Sequence, residues 1–157
     1  MDNKFPGKDI TQSDLDEKFP LAHSCMNRGG RTSVFCGDFE FNHKNFAVMA
    51  GPNMVESEEL IVEVAKKVKE MGAQFLRGGA FKPLTFPYRS DNYNETRLEG
   101  LKWLQSAKYE TGINVITEVM EERYLELISS VADILQIGSR NMQNYPFLTA
   151  CAKTGKP

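Results

Sequence analysis

The sequence predicts an α/β protein built on a parallel sheet. Two observations carry this reading. Short apolar runs that stop at glycine-rich or cationic loops alternate with longer amphipathic stretches. The order strand, helix, strand, helix then recurs along the chain, which places helices outside a parallel sheet. Two architectures fit, an open doubly wound sheet and a (β/α)8 barrel. The first strand-to-helix loop has no G-x-G-x-x-G, and the chain has no P-loop sequence, which weakens the nucleotide-binding open sheet. Only four strand–helix units can be read, so pattern alone leaves half a barrel or a small open sheet.

Residues 1–30 are polar and irregular and are expected to form an arm or extension. Residues 33–36 and 39–41 flank Gly37-Asp38, a hairpin signal. The apolar run Phe46 to Ala50, closed by Gly51-Pro52, predicts a buried strand. From Ser57 to Met71, Leu60, Ile61, Val64, Ala65 and Val68 fall on one helical face. Glu56, Glu58 and Glu59 crowd its start and Lys66, Lys67 and Lys69 its later half, in keeping with the macrodipole, and Gly72 ends it. A strand is expected over Gln74 to Arg77, then a helix from about Glu95 to Tyr109 with Leu98, Leu101 and Leu104 inward, stopping near Gly112. "NVITEV" predicts the third strand, about Glu121 to Ser130 a helix, "DILQIG" the fourth strand and "PFLTACAKTG" the start of a further helix.

Composition bounds the function classes. The chain has 157 residues, 25% charged and 41% hydrophobic, with a formal net charge of -2. That is enough for one domain with a real core, and it gives no reason to expect nucleic acid or an anionic membrane as partner. No apolar run approaches the ~20 residues that span a bilayer. The first twenty residues lack a basic-then-apolar leader pattern, so a cytoplasmic location is expected. Cys25, Cys36 and Cys151 are widely spaced and read as reduced packing or surface thiols. His23 and His43 have no zinc-like partner at helical spacing.

Ligands bind at the carboxyl ends of the strands in either architecture. Those ends carry "AGPNMVES", "LRGGAFKP", "TEVM" and "IGSRNMQN", and so bring Asn53, Arg77, Lys82, Glu118, Arg140, Asn141 and Gln143 to one end of successive strands. Arginine presents a planar fork to carboxylate or phosphate, and neighbouring glycines let backbone N–H groups approach an anion. Three cations at one mouth point to a small, multiply charged phosphorylated ligand. Each residue also has a plainer reading. Arg77 alone would be a salt-bridge or surface residue, and Glu118 would serve only to pair a neighbouring cation. Asn53 would cap the next helix, since Asn53 to Glu56 has capping-box spacing. Arg140 would belong to a solvated loop.

In this order and spacing, "AGPNMVES", "GAQFLRGGAFKP", "TGINVITEVM", "ADILQIGSRNMQN" and "KTGKP" closely resemble the 3-deoxy-D-arabino-heptulosonate 7-phosphate (DAHP) synthases, of the subfamily related to the 3-deoxy-octulosonate 8-phosphate synthases. The resemblance runs from about Phe46 to Pro157. It implies the (β/α)8 TIM-barrel fold, with this chain covering about the first four βα units and residues 31–157 forming the N-terminal half of the barrel. It implies aldol-type condensation of phosphoenolpyruvate with erythrose 4-phosphate, the entry to the shikimate pathway and aromatic amino acids, and a homo-oligomer. By the resemblance, Arg77 and Lys82 are the catalytic cations that grip phosphoenolpyruvate, mainly at its carboxylate. Arg140, with the backbone at Ser139, holds its phosphate, Glu118 shapes the floor, and Thr85 belongs to the sugar-phosphate side. Asn141 and Gln143 match the motif without a catalytic role.

Three departures from the family pattern matter. Asn53 stands where the family has a cysteine ligand of its divalent metal (manganese, iron or zinc), and an amide oxygen is a weaker ligand than thiolate. No metal ligand is therefore assigned here. Metal-independent octulosonate phosphate synthases carry asparagine at this point. The family's "KPRTS" reads "KPLTF" here, so Leu84 replaces an arginine of the sugar-phosphate site and Phe86 a serine, with Arg89 nearby. Last, the chain stops where a fifth strand is due, which points to a fragment or a shortened paralogue. The alternatives are thus a non-catalytic phosphate-ligand binder or interaction subunit, and more weakly an octulosonate phosphate synthase.

Overall fold

The structure, a computed structural model, describes Thr11 and residues 33–82 and 95–157. The expected arm over residues 1–30 falls outside these except for Thr11. Strands β1 (Val34–Cys36) and β2 (Phe39–Phe41) pair antiparallel, with Cys36 opposite Phe39. Gly37 turns between them at φ 56°, in the left-handed region that glycine tolerates. This is the expected hairpin.

Strands β3 (Met49–Ala50), β4 (Phe75–Arg77), β5 (Asn114–Val119) and β6 (Ile134–Ile137) form one sheet, parallel throughout and in sequence order. The register sets Ala50 beside Leu76, Arg77 beside Ile116 and Glu118 beside Gln136. Helix α1 (Glu58–Glu70) links β3 to β4, α2 (Arg97–Thr111) precedes β5, α3 (Leu125–Val131) precedes β6, and α4 (Tyr145–Lys153) follows it.

Side chains alternate across a strand, and here the two faces differ sharply. Leu76, Val115, Val119 and Leu135 bury against Ile61 and Ala65 of α1, Leu101 and Leu104 of α2, Ile128 of α3 and Phe147 of α4 in one core. All four helices therefore lie on one side of the sheet. A doubly wound sheet would carry helices on both sides, so the placement favours the barrel. On the other side Phe75, Ile116 and Ile134 form a second core with Cys36, and Phe39, Phe41 and Ala47 pack against it. The Phe39 and Phe41 rings sit 5.5 and 5.3 Å from that of Phe75. The hairpin thus covers the amino end of this face. Further along the same face, two residues on in each strand, stand Arg77, Glu118 and Gln136.

The helix ends follow from local chemistry. Ser57 caps α1 by accepting from the Leu60 N–H, and Gly112 closes α2 at φ 66°. Asn144 accepts from the Phe147 N–H at 3.4 Å to start α4. Asp133 fixes the start of β6. Its carboxylate accepts from the Val115 N–H at 2.8 Å and from Lys108 Nζ at 2.7 Å. The Leu135 N–H donates to the Pro157 carbonyl at 2.9 Å, so the last residue lies along the free side of β6.

Several expectations need correction. Phe46 to Ala50 is not a buried strand: only Met49–Ala50 is regular, Phe46 is 86% exposed, and Val48 and Met49 are also exposed. Among the described residues the strand is an edge with a neighbour on one side only. Leu98 is exposed, because it lies about 120° round the helix from Leu104 at roughly 100° per residue, while Gly100, Leu101, Leu104 and Ala107 form the buried face. Asn53 does not cap α1, since Ser57 holds that place, and Glu56 lies before the first turn. The stretch expected as one helix from Glu121 begins as a 3-10 turn, Glu122–Tyr124, before α3.

Candidate functional site

The polar end of the helix-free face gathers most of the residues singled out in the sequence. Arg77 closes β4, one residue beyond the apolar pair Phe75 and Leu76. Its Nε donates to Gln136 Oε1 on β6 at 3.2 Å, and its Nη1 donates to the Pro52 carbonyl and to Asn53 Oδ1, each at 3.1 Å. One guanidinium therefore ties the loop after β3 to β6 across the intervening strands. Asn53 is an arginine partner, and this explains why it is not a helix cap.

Glu118 on β5 is 2% exposed, and Lys82 Nζ lies 3.9 Å from its Oε2. A buried carboxylate this close to an ammonium is held by that charge. Gly138 makes room for it: a Cβ there would meet Glu118 Oε1 at 1.9 Å. Gly79 has a comparable role, because a Cβ would lie 2.6 Å from the Asn53 carbonyl. The Val55 N–H donates to the Gly79 carbonyl at 3.0 Å, locking the loops after β3 and β4 together. Gly79 of "LRGGAFKP" is thus required by close approach of backbone, while a Cβ at Gly78 would press on Val55 and Leu104 at 3.0 and 3.1 Å.

After β6, Ser139–Asn141 forms a 3-10 turn. Asn141 Nδ2 donates to the Met120 carbonyl at 3.0 Å, which binds this turn to the end of β5. Ser139 and Arg140 are exposed. Arg140 has no hydrogen bond or ion pair with another described residue. Arg77, Lys82, Glu118 and Asn53 are thus joined in two contact pairs at adjacent strand ends, and Arg140 follows the fourth strand end with no hydrogen bond or ion pair to them. Thr85, Leu84, Phe86 and Arg89 lie outside the described residues. Gln143 is exposed.

Sequence reading missed two contributors. Gln136 is a polar residue alternating with Ile134 on an otherwise apolar strand, and that break in the pattern was the available signal. The Pro52 carbonyl is a backbone group with no sequence signal at all.

Among the described residues no cluster of three or more His, Cys, Asp or Glu is placed to hold a metal ion. Asn53 Oδ1, at the position the resemblance gives to a metal ligand, faces a guanidinium instead. The described residues therefore do not fit a divalent metal. Cys36 and Cys151 are free thiols, both buried. Burial pushes both above a thiol's ordinary range, reinforced at Cys36 by Asp133 and at Cys151 by Glu122. No helix among the described residues is long and apolar enough to cross a membrane.

Comparison with known proteins gives a consistent result. The model of the DAHP synthetase I family matches residues 33–157. A phospho-2-dehydro-3-deoxyheptonate aldolase of Thermotoga maritima is 38% identical over 126 residues, 80% of this chain and 36% of that protein. A 2-dehydro-3-deoxyphosphooctonate aldolase of Pisum sativum is 38% identical over 120 residues, 71% of this chain and 40% of that protein. The crystal structure of the Thermotoga maritima heptonate aldolase (DAHP synthase) superimposes with a TM-score of 0.72 at 36% identity, over 80% of this chain and 36% of the other. The chain therefore spans well under half the length of these relatives.

Proposed function

The chain belongs to the DAHP synthetase I family, and from that premise we propose that it carries the phosphoenolpyruvate-binding part of a 3-deoxy-7-phosphoheptulonate synthase. The reaction joins phosphoenolpyruvate to erythrose 4-phosphate. A C–C bond forms between the enol carbon and the aldehyde carbon, water adds at the neighbouring carbon, and phosphate leaves. The chain's share of this work is charge control. Arg77 and Lys82 take the carboxylate, and Arg140 with the Ser139 backbone takes the phosphate. Preorganised cations of this kind hold the reactant in register and stabilise developing charge. Glu118 fixes Lys82 and forms the floor. Thr85 belongs to the sugar-phosphate side. A homo-oligomeric assembly stands as part of the same proposal.

The observation that carries the reading is the gathering of Arg77, Lys82, Glu118 and Gln136 at one end of adjacent parallel strands, with Arg77 and Lys82 engaged there. The test is thermal unfolding of the 157-residue chain with phosphoenolpyruvate. A ligand at about 100 times its Kd stabilises by about 2.7 kcal/mol, and Arg140→Ala should abolish the shift. If neither ligand nor substitution moves the melting temperature, the reading fails.

A second reading has its own support. Octonate aldolases from plants and bacteria match at 31–38% identity, and Asn53 fits a metal-independent octulosonate synthase. Supplying erythrose 4-phosphate and arabinose 5-phosphate in parallel and measuring phosphate release separates the two. Binding of phosphoenolpyruvate without turnover of either aldehyde would assign the chain to the non-catalytic alternative, a binder of phosphorylated ligands or an interaction subunit.

A further inference from the structure

We propose that Gln136 and Asn53 are positioning residues for Arg77, and that their being uncharged is what makes them suitable. A guanidinium has five N–H donors in a rigid fork. Three contacts engage it: Nε to Gln136 Oε1, and Nη1 to the Pro52 carbonyl and Asn53 Oδ1. Nη2 has no partner among the described residues. The fork is therefore held along one side, from a loop and from a strand, and offers its remaining edge.

All three acceptors are neutral. A carboxylate would hold the guanidinium as firmly and would also cancel much of its charge. Amide and carbonyl oxygens orient the fork and leave the full positive charge for a ligand anion. Lys82 provides the contrast within the same site, because it lies against the Glu118 carboxylate. The two cations are thus prepared differently: Lys82 is paired, and Arg77 is oriented with no carboxylate against it among the described residues. Gly51 lets the loop bearing Pro52 and Asn53 come close, since a Cβ there would lie 2.0 Å from the Arg77 carbonyl oxygen. On this view the asparagine at position 53 supports the arginine.

The proposal rests on the reading of phosphoenolpyruvate as ligand, and two measurements keep them apart. The first needs no ligand. In the full chain labelled with 15N-arginine, the Arg77 Nε–H should exchange slowly with solvent and resonate apart from exposed arginines. Gln136→Met, which keeps the volume and removes the acceptor, should bring both properties to those of exposed arginines. An unchanged Nε–H signal in that variant overturns the positioning role. The second measurement is calorimetric titration with phosphoenolpyruvate in the presence of a chelator. Asn53→Asp retains an acceptor and adds a negative charge, so it should keep the Nε–H signal and bind roughly tenfold more weakly, as for loss of one charge-assisted contact. Asn53→Asp binding as tightly as the parent would overturn the claim that neutrality matters. If the Nε–H signal behaves as stated and the parent chain does not bind phosphoenolpyruvate, the ligand assignment fails and the cradle stands.

Discussion

Replacing Gly51 with alanine tests the closeness of β3 and β4, on which the placement of Arg77 depends. Gly51 has φ 150°, and an added Cβ would lie 2.0 Å from the Arg77 carbonyl oxygen, 3.0 Å from its carbonyl carbon and 3.2 Å from its nitrogen. These are backbone atoms of a paired strand and cannot swing aside. Two costs add. Backbone strain at such a φ is about 1–3 kcal/mol, and overpacking is about 1–3 kcal/mol. The restricted unfolded chain returns only about 0.4–1 kcal/mol. The net loss is therefore roughly 1–5 kcal/mol, or roughly 2–20 °C in melting temperature for a chain of this size. Gly72 is the control. It has φ 92° and nothing within 4 Å of its Cβ position, so Gly72→Ala bears the backbone strain alone. Urea and thermal unfolding of both variants give the steric part by difference. Equal losses at the two positions would refute the close approach and, with it, the geometry given for Arg77.

Three further outcomes follow from the same structure. Asp133→Ala removes the acceptor of the Val115 N–H and the partner of Lys108; leaving a partly buried donor unsatisfied should cost about 1–3 kcal/mol in urea unfolding. Ser57→Ala removes the cap of α1 and should cost about 1 kcal/mol, whereas Asn53→Ala should leave the helical circular dichroism signal of α1 intact. The raised Cys36 and Cys151 thiols stay neutral in the fold while the unfolded thiols ionise near 9.0. Their stabilisation is therefore fully present below the unfolded value and is lost as pH rises from there through the raised folded values. A melting temperature that rises from about pH 8.5 to about pH 10 in the parent chain, and not in Cys36→Ala, would contradict this.

Much of the fold was legible because its signals are local. Alternation of short apolar runs with amphipathic helices set the parallel order, and "NVITEV" coincides with β5 at both ends. The exposure of Phe46, Val48 and Met49 is not legible in sequence, because hydrophobicity does not say whether a strand has neighbours on both sides. A spacing of three links Leu98 to Leu101 and Leu104, but the buried face is set by Gly100 and Ala107 as well and turns away from Leu98. For the site, cations at strand ends picked out Arg77 and Lys82. The sequence could not show that Asn53 meets Arg77, twenty-four positions away, since that contact depends on sheet register. Gln136 was passed over for the same reason, although its polarity on an apolar strand marked it.

The hairpin has a consequence for how the molecule divides its tasks. Phe39 and Phe41 stopper the amino end of the sheet against Phe75, and the hairpin leaves the opposite rim, with Arg77, Glu118 and Gln136, uncovered. Aromatic packing and the polar side chains thus stand about two residues apart along each strand. Loops at that rim can then change without loosening the aromatic seal beneath them.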